Sequence, residues 1–352
     1  VADRQRSLFD DESLPAGGRR GPRPVEPAPV DPATARLAAA LPPRIRLGTS
    51  SWSFPGWTGL VYAAESGRPP GEQRLARAGL AAYARHPLLR TVSLDRTFYA
   101  PLAAQEFAAY AAQVPADFRF VVKAPAAITD PAVRRPGSGE PSRDNPTFLD
   151  ARLATESFVR PALAGLGDRA GPLVFQFPPL GGRLLADPPR LAARLAAFLA
   201  VLPRSLPDGR AGRPLYAVEV RDPQLVTAGF AAALKDAGCM PCLAIHARMP
   251  PADEQADAFG LAAADARQPV VARWNLHAGR GYEDAKAGYF PFDRLVEEDL
   301  PTRRAVAAIA RGAAAADRDA FITINNKAEG SAPLSVRRLA EEIAGGVPAA
   351  GS

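Results

Sequence analysis

R-I-R-L-G-T-S-S-W-S-F-P-G-W, residues 44–57, holds the pattern from which the fold can be read. Ile45 and Leu47 alternate with Arg46 and Gly48, as in a short strand whose two faces meet different surroundings. The run then breaks into Ser50, Ser51, Trp52 and Ser53 and into the turn residues Pro55 and Gly56. A strand therefore ends in a polar loop that carries two indoles.

The same grammar recurs seven more times along the chain: a short apolar strand, one or two polar residues at its C-terminal end, a loop and a helix. Strands are expected at 45–51, 91–97, 119–124, 173–177, 215–221, 241–246, 270–275 and 321–325. Helices are expected after them, at 73–86, 103–114, 148–166, 190–202, 226–236, 253–266, 302–316 and 334–344. Strands alternating with helices imply an α/β fold with a parallel sheet, and eight units imply closure into a (β/α)8 TIM-type barrel. An open doubly wound sheet is the competing topology. It calls for a Gly-rich phosphate turn after the first strand, and Gly48-Thr49-Ser50-Ser51 is a poor version of one. The loops at 131–146 and 277–291 follow the third and seventh strands and are lid candidates.

Residues 1–43 read as a disordered Pro/Arg-rich tail, 44–346 as the barrel and 347–352 as a second short tail. Within the first tail, Gln5-Arg6-Ser7-Leu8-Phe9 resembles the short Gln-x-Ser-Leu-Phe peptides with which bacterial DNA enzymes dock onto the replication sliding clamp. In that mode Leu8 and Phe9 fill an apolar pocket and Gln5 hydrogen-bonds beside it; the plain alternative is a stray Leu-Phe pair.

The chain has 352 residues, 47% of them hydrophobic, which suffices for one large core. No apolar run approaches the length of a membrane span, and the first residues lack an apolar secretory segment, so the expected compartment is the cytoplasm and no membrane partner is expected. Cys239 and Cys242 have CxxC spacing but no second ligand pair, and read as structural cysteines. His86, His246 and His277 are too scattered for a metal cluster, and the sequence requires neither a metal nor an organic cofactor. Net charge is +6, and only four basic residues are lysines (Lys123, Lys235, Lys286 and Lys327). The charge permits an anionic partner without demanding one.

Alternation assigns the faces of each strand. On the fifth, Val218 and Val220 suit the helix layer, so Glu219 and Arg221 should point into the barrel. The same logic turns inward Ser50 and Trp52, then Ser93, Asp95 and Thr97, Lys123, Gln176, His246, Arg273 and Asn275, and Thr323 and Asn325. All lie at the C-terminal ends of their strands, where barrel enzymes carry their sites. The expected roles are Glu219 as general base, Lys123 as electrophile or lowered-pKa base and Asp95 as a third catalytic group. Trp52, Trp57 and Tyr99 would supply stacking surfaces, and Gln176, Arg221, His246, Arg273, Asn275, Asn325 and Asn326 would bind ligand. The plain alternative is a network of buried charges that satisfy one another.

Several segments, in order, resemble the DUF72 or YecE-like family of barrel proteins: G-T-S-S-W-S-F-P-G-W (48–57), T-F-Y-A-P-L (97–102), F-V-V-K-A-P-A-A-I-T (120–129), L-V-F-Q-F-P-P (173–179), V-E-V-R-D-P (218–223) and I-N-N-K-A-E-G-S-A (324–332). The resemblance spans about 45–340 and implies a TIM-type barrel, but no established activity. The sequence departs from the family pattern at Ser93 (usually Glu), at Asp95 (usually Asn), at Asp130 and Asp222 (both usually His) and at His246 (usually acidic). Lys123, Gln176, Glu219, Arg221, Asn325 and Asn326 match it. The family barrel resembles that of endonuclease IV, whose zinc cluster needs many His and carboxylate ligands; the ring here offers one histidine and two acids.

Two functions follow as expectations. One is an enzyme-like barrel that binds an anionic or phosphate-bearing small molecule. The other is a non-catalytic nucleic-acid-binding or repair-associated protein recruited through Gln5–Phe9.

Overall fold

The computed structural model describes residues 24–135, 139–262 and 266–345. Its strands are β1 (Ile45–Thr49), β2 (Thr91–Leu94), β3 (Arg119–Lys123), β4 (Ala132–Arg134), β5 (Pro141–Asp144), β6 (Ala170–Gln176), β7 (Tyr216–Glu219), β8 (Met240–Ile245), β9 (Val270–Trp274) and β10 (Ala320–Ile324). All but β4 and β5 form one closed parallel barrel in the order β1-β10-β9-β8-β7-β6-β3-β2. The closed barrel excludes the open doubly wound sheet.

The strands sort their side chains as alternation requires. Ile45, Leu47, Val92, Phe120, Val122, Leu173, Phe175 and Val218 join the large core between barrel and helices. The other face of the sheet builds a separate plug from Val121, Val174, Ala217, Met240, Cys242, Val271 and Phe321. Arg46 lies over the Phe321 ring near the bottom and pairs with Asp319 at 3.0 Å. Apolar residues thus fill the lower and middle barrel, and polar ones are left for the C-terminal rim. Closure between β1 and β2 depends on Gly48, because a Cβ there would sit 1.8 Å from the Thr91 carbonyl oxygen.

Strands end one to three residues earlier than alternation suggests. Asp95, Arg221, His246, Asn275 and Asn325 lie just beyond β2, β7, β8, β9 and β10. The ladder is extended by single bonds, such as Asn275 N–H to Ile245 O (3.0 Å) and Asn325 N–H to Trp274 O (2.8 Å). These residues stay in barrel register while their backbones turn outward. The expected helix at 73–86 divides into Glu72–Ala78 and Leu80–Tyr83, and that at 148–166 into Ala151–Ala154, a π-helical Thr155–Val159 and Arg160–Leu166. The helix expected to reach residue 266 stops at Ala258, close before the positive-φ Gly260.

The reading of 1–43 as disordered needs correction for residues 24–43. Pro32–Ala40 is a helix with Pro at its start and Asp31 as N-cap, accepting from Thr34 N–H at 2.8 Å. It packs against the C-terminal helix Ala332–Gly345. Ahead of it, Val25 and Ala28 are buried and Ala28 N–H donates to Val61 O at 2.9 Å. Gln5, Leu8 and Phe9 lie outside the described residues.

Both lid candidates carry structure. After β3, β4 and β5 make an antiparallel hairpin, anchored by Asp130, which accepts from Ala132 N–H at 3.0 Å and pairs with Arg134 at 2.5 Å. After β9, the helix Tyr282–Tyr289 sits on its own small core of Leu276, Ala285, Tyr289 and Phe292, packed on Phe54.

Candidate functional site

The rim is built around one buried chain of charges. Arg273, at the end of β9, is almost fully buried and spans the barrel. Its Nη1 donates to Glu219 Oε2 at 2.6 Å and its Nη2 to Asp95 Oδ1 and Oδ2 at 2.9 and 3.1 Å. Glu219, at the end of β7, is fully buried, and its other oxygen meets Arg221 Nη2 at 2.5 Å and Asn275 Nδ2 at 3.3 Å. Ser93 Oγ donates to Asp95 Oδ1 at 2.7 Å. Ser93, Asp95, Glu219, Arg221, Arg273 and Asn275 are therefore brought together as expected.

Their roles differ from expectation. Burial alone would raise the Glu219 carboxyl, but Arg221 and Arg273 outweigh it and hold the group down at about 2. A carboxylate with both oxygens occupied and so weak an affinity for protons is a poor general base. Glu219 instead fixes two guanidiniums. Asp95 is the carboxylate with room to react, since its side chain is 32% exposed.

Two lysines feel the charge of Asp95. Lys123, on the last residue of β3, points inward with its Nζ 3.6 Å from the centroid of the Phe98 ring. Lys327, in the turn after β10, sets its Nζ 4.4 Å from the Tyr282 ring. Neither ammonium has a hydrogen bond or ion pair among the described residues, and both are only partly exposed. Burial pulls each down to about 8, and the charge of Asp95 is the largest pull in the opposite direction on both. Lys327 was not among the residues expected at the site. It follows the last alternating residue of β10, where strand periodicity no longer reports direction; its place in I-N-N-K was the available signal.

A cleft of about 530 Å³ opens beside this floor, lined by Gln176, Pro179, Arg221, His246, Arg248 and Tyr282. His246 is held down at about 4 by burial and then by Arg221, so it is neutral near pH 7, and its Nδ1 is buried without a partner. Tyr99 stands at the rim, 38% exposed, its hydroxyl pushed up to about 12 by burial and by Asp95. Asn325 accepts from Lys327 N–H at 3.1 Å and so shapes the turn that presents that lysine.

Three expected site residues lie elsewhere. Trp52 does not face the barrel: β1 ends at Thr49, whose Oγ1 bonds Ser51 O at 2.6 Å, and the tight turn reverses the alternation. The Trp52 indole lies in the helix layer, donating to Leu75 O at 3.1 Å and meeting Tyr110 edge-on at 5.5 Å. Trp57 is fully buried and donates to Asn326 Oδ1 at 3.1 Å, so neither indole can stack on a ligand. Asn326 is buried too, and its Oδ1 also caps Ala332 N–H at 2.8 Å. Its work is to hold a turn.

Of the positions that depart from the family pattern, Asp130 anchors the hairpin and Asp222 accepts from Leu180 N–H at 3.0 Å. Both serve loops. Cys239 and Cys242 are buried, and burial pushes both thiols up, which suits structural residues. No group of three or more His, Cys, Asp or Glu placed to hold a metal occurs among the described residues. No helix among them is long and apolar enough to cross a membrane.

Fold and rim together define a (β/α)8 barrel whose C-terminal mouth carries four cationic side chains, Lys123, Arg221, Arg273 and Lys327, around the carboxylates of Asp95 and Glu219. The model of the family described as "Protein of unknown function DUF72" matches residues 46–350, and the chain belongs to that family. Among solved structures it is similar to a DUF72 family protein of Thermotoga maritima, with 17% identity and a TM-score of 0.51, covering 84% of this chain and 97% of that one. It is similar also to one of Enterococcus faecalis, with 16% identity and a TM-score of 0.50, covering 85% of this chain and 95% of that one. At such identity the likeness concerns the fold. No curated protein matches the chain.

Proposed function

We propose that the barrel mouth binds a small anionic ligand, and that Asp95 exchanges protons with it. The observation that carries this reading is the pair of ammonium groups without an anionic partner, Lys123 and Lys327, both within the field of one partly exposed carboxylate, Asp95. An ammonium taken out of water without an acceptor costs stability. The arginines of the same ring are engaged by Glu219 and Asp95, so the two lysines are the ring's cations left for a ligand, and Arg248 on the cleft wall adds a further positive charge. Gln176, Asn275 and the neutral His246 supply hydrogen bonds beside them. A cleft of about 530 Å³ fits a small molecule better than a strand of nucleic acid.

A thermal-shift screen of sugar phosphates, nucleotides, dicarboxylates and short single- and double-stranded DNA, at two salt concentrations, tests the reading. A small anion should raise the melting temperature of the wild type and not that of Lys123→Met or Lys327→Met. A shift confined to DNA, steep in salt and indifferent to both substitutions, would favour the nucleic-acid reading instead.

A further inference from the structure

We infer that Lys123 is a nucleophile that forms an imine with the carbonyl carbon of a small anionic aldehyde or ketone, an inference that rests on the anion-binding reading of the mouth. Geometry supplies three reasons. The first is the setting of the amine. Lys123 rises from the last residue of β3 into the barrel, against the face of Phe98, with no acceptor and no carboxylate at ion-pair distance. Protonated, it has the Phe98 ring but no anionic partner; neutral, it exposes a lone pair to the mouth.

The second is the neighbourhood. Imine formation must move protons, and Asp95 is the carboxylate near Lys123 that is both charged-partnered and open, held by Ser93 and Arg273 yet 32% exposed. The third is the division of labour between the lysines. Lys327 lies on a separate turn, against Tyr282 and within the field of the same Asp95, where it can hold the anionic end of a ligand whose carbonyl reaches Lys123. A site that only gripped an anion would gain from ion-paired or arginine donors, which keep their charge. A buried lysine without a partner is the group whose neutral form is within reach.

The step balances without a redox partner. The Lys123 amine adds to the carbonyl carbon, forming the C–N bond as the carbonyl π bond opens, and one nitrogen proton passes through Asp95 to the oxygen to give a carbinolamine. Asp95 accepts a proton from nitrogen and returns one to the hydroxyl, which leaves as water, and the C=N bond remains. The imine then draws electrons from the adjacent carbon, so the reaction class is proton abstraction or carbon–carbon bond exchange next to a carbonyl.

The groups that face Lys123 from other strands are Asp95, Glu219, Arg221 and Arg273, so its titration reports the whole ring. At pH 7.5 an amine titrating near 8 is roughly a quarter neutral, against about one in a thousand for a solvated lysine.

Pyridoxal 5′-phosphate, an anionic aldehyde, serves as the probe, followed by borohydride reduction and peptide mapping of the intact chain. Four lysines make the map unambiguous. The expected result is one equivalent of label on Lys123, forming at least about ten-fold faster than on Lys235 or Lys286 and slowed by inorganic phosphate. Lys123→Arg and Lys123→Met should both lose it. No label on Lys123, or label that goes first to Lys327, would overturn the inference. Inorganic phosphate is added separately to the wild type in a thermal-shift measurement. A phosphate shift with an unlabelled Lys123 sinks the imine alone. No phosphate shift in the wild type and none from the other small anions sinks the anion-binding reading, whatever Lys123 does.

Discussion

Two clusters of buried charge in this barrel look alike in composition and differ in how they are completed. One lies in the helix layer, where the loop after the Tyr282–Tyr289 helix meets the turn after β10. Glu329 is fully buried there, accepting from Arg303 Nη2 at 2.5 Å and from Asp299 N–H at 2.8 Å. Arg303 also pairs with Glu298 at 2.9 Å, and Asp299 caps the helix Leu300–Ala315. The groove of about 560 Å³ next to this cluster is lined by Arg338 and Glu341, paired at 3.0 Å, among others. The buried cation of that cluster, Arg303, has two opposite partners, while Asp299 is held by the Thr302 N–H of the helix it caps. The other cluster, at the barrel mouth, satisfies its arginines and Glu219 in the same way but leaves two lysines and one face of Asp95 open. Burial of charge alone therefore does not mark a site; the feature that sets the mouth apart is a buried cation with no anionic partner.

The largest effect that sharpens this contrast is expected at Glu329. Glu329→Ala removes one of the two carboxylates on Arg303 and the acceptor of the Asp299 N–H, and should lower stability by about 3 kcal/mol in urea unfolding, with no change in ligand response. Lys123→Met should act with the opposite sign. It removes an ammonium that has no acceptor, and after loss of the Phe98 contact and allowance for solvent at the side-chain tip the variant should gain about 1–2 kcal/mol at pH 7. A Lys123→Met variant less stable than the wild type would make the mouth another structural network and erase the distinction.

A pH series separates the two lysines from everything else that titrates. Folded, both lie near 8; unfolded, near 10.5. Between those values the unfolded chain binds more protons, so the lysines' contribution to stability rises with pH, and their cost is fully present below about 8. Buried tyrosines and cysteines, whose groups are raised, act in the opposite direction at the alkaline end. The difference in unfolding free energy between wild type and Lys123→Met/Lys327→Met should therefore shrink steadily from pH 8 to pH 10. A difference flat across that range would place ordinary, solvated amines at the mouth. The smallest effect is expected from Trp52→Phe, which loses one hydrogen bond to Leu75 and about 1 kcal/mol. An anion-dependent thermal shift lost in that variant would return Trp52 to the site.

The barrel was legible in the sequence because each strand pairs β-branched or aromatic residues on one face with polar ones at its C-terminal end, as Val218 and Val220 do around Glu219. That alternation also delivered Lys123, Gln176, Arg273 and Asn275 to the right face. It failed where strands stop. Trp52 lies beyond the turn at Thr49–Ser51, and Lys327 lies in a turn with no periodicity to orient it. The state of Glu219 was also beyond reach, because saturation depends on Arg273, which comes from a strand two places round the barrel. The helix Pro32–Ala40 was obscured by its Pro-rich surroundings, although Asp31-Pro32 is a sound cap and first turn.

With four lysines in the chain, ¹³C NMR of lysine labelled at Cε reads the mouth in a single titration. Two resonances, assigned by Lys123→Met and Lys327→Met, should titrate near pH 8 and move to higher pH when inorganic phosphate is added, while Lys235 and Lys286 do not respond to phosphate. Four resonances titrating together near 10.5, indifferent to phosphate, would contradict the account and leave the ring of charges as part of the scaffold.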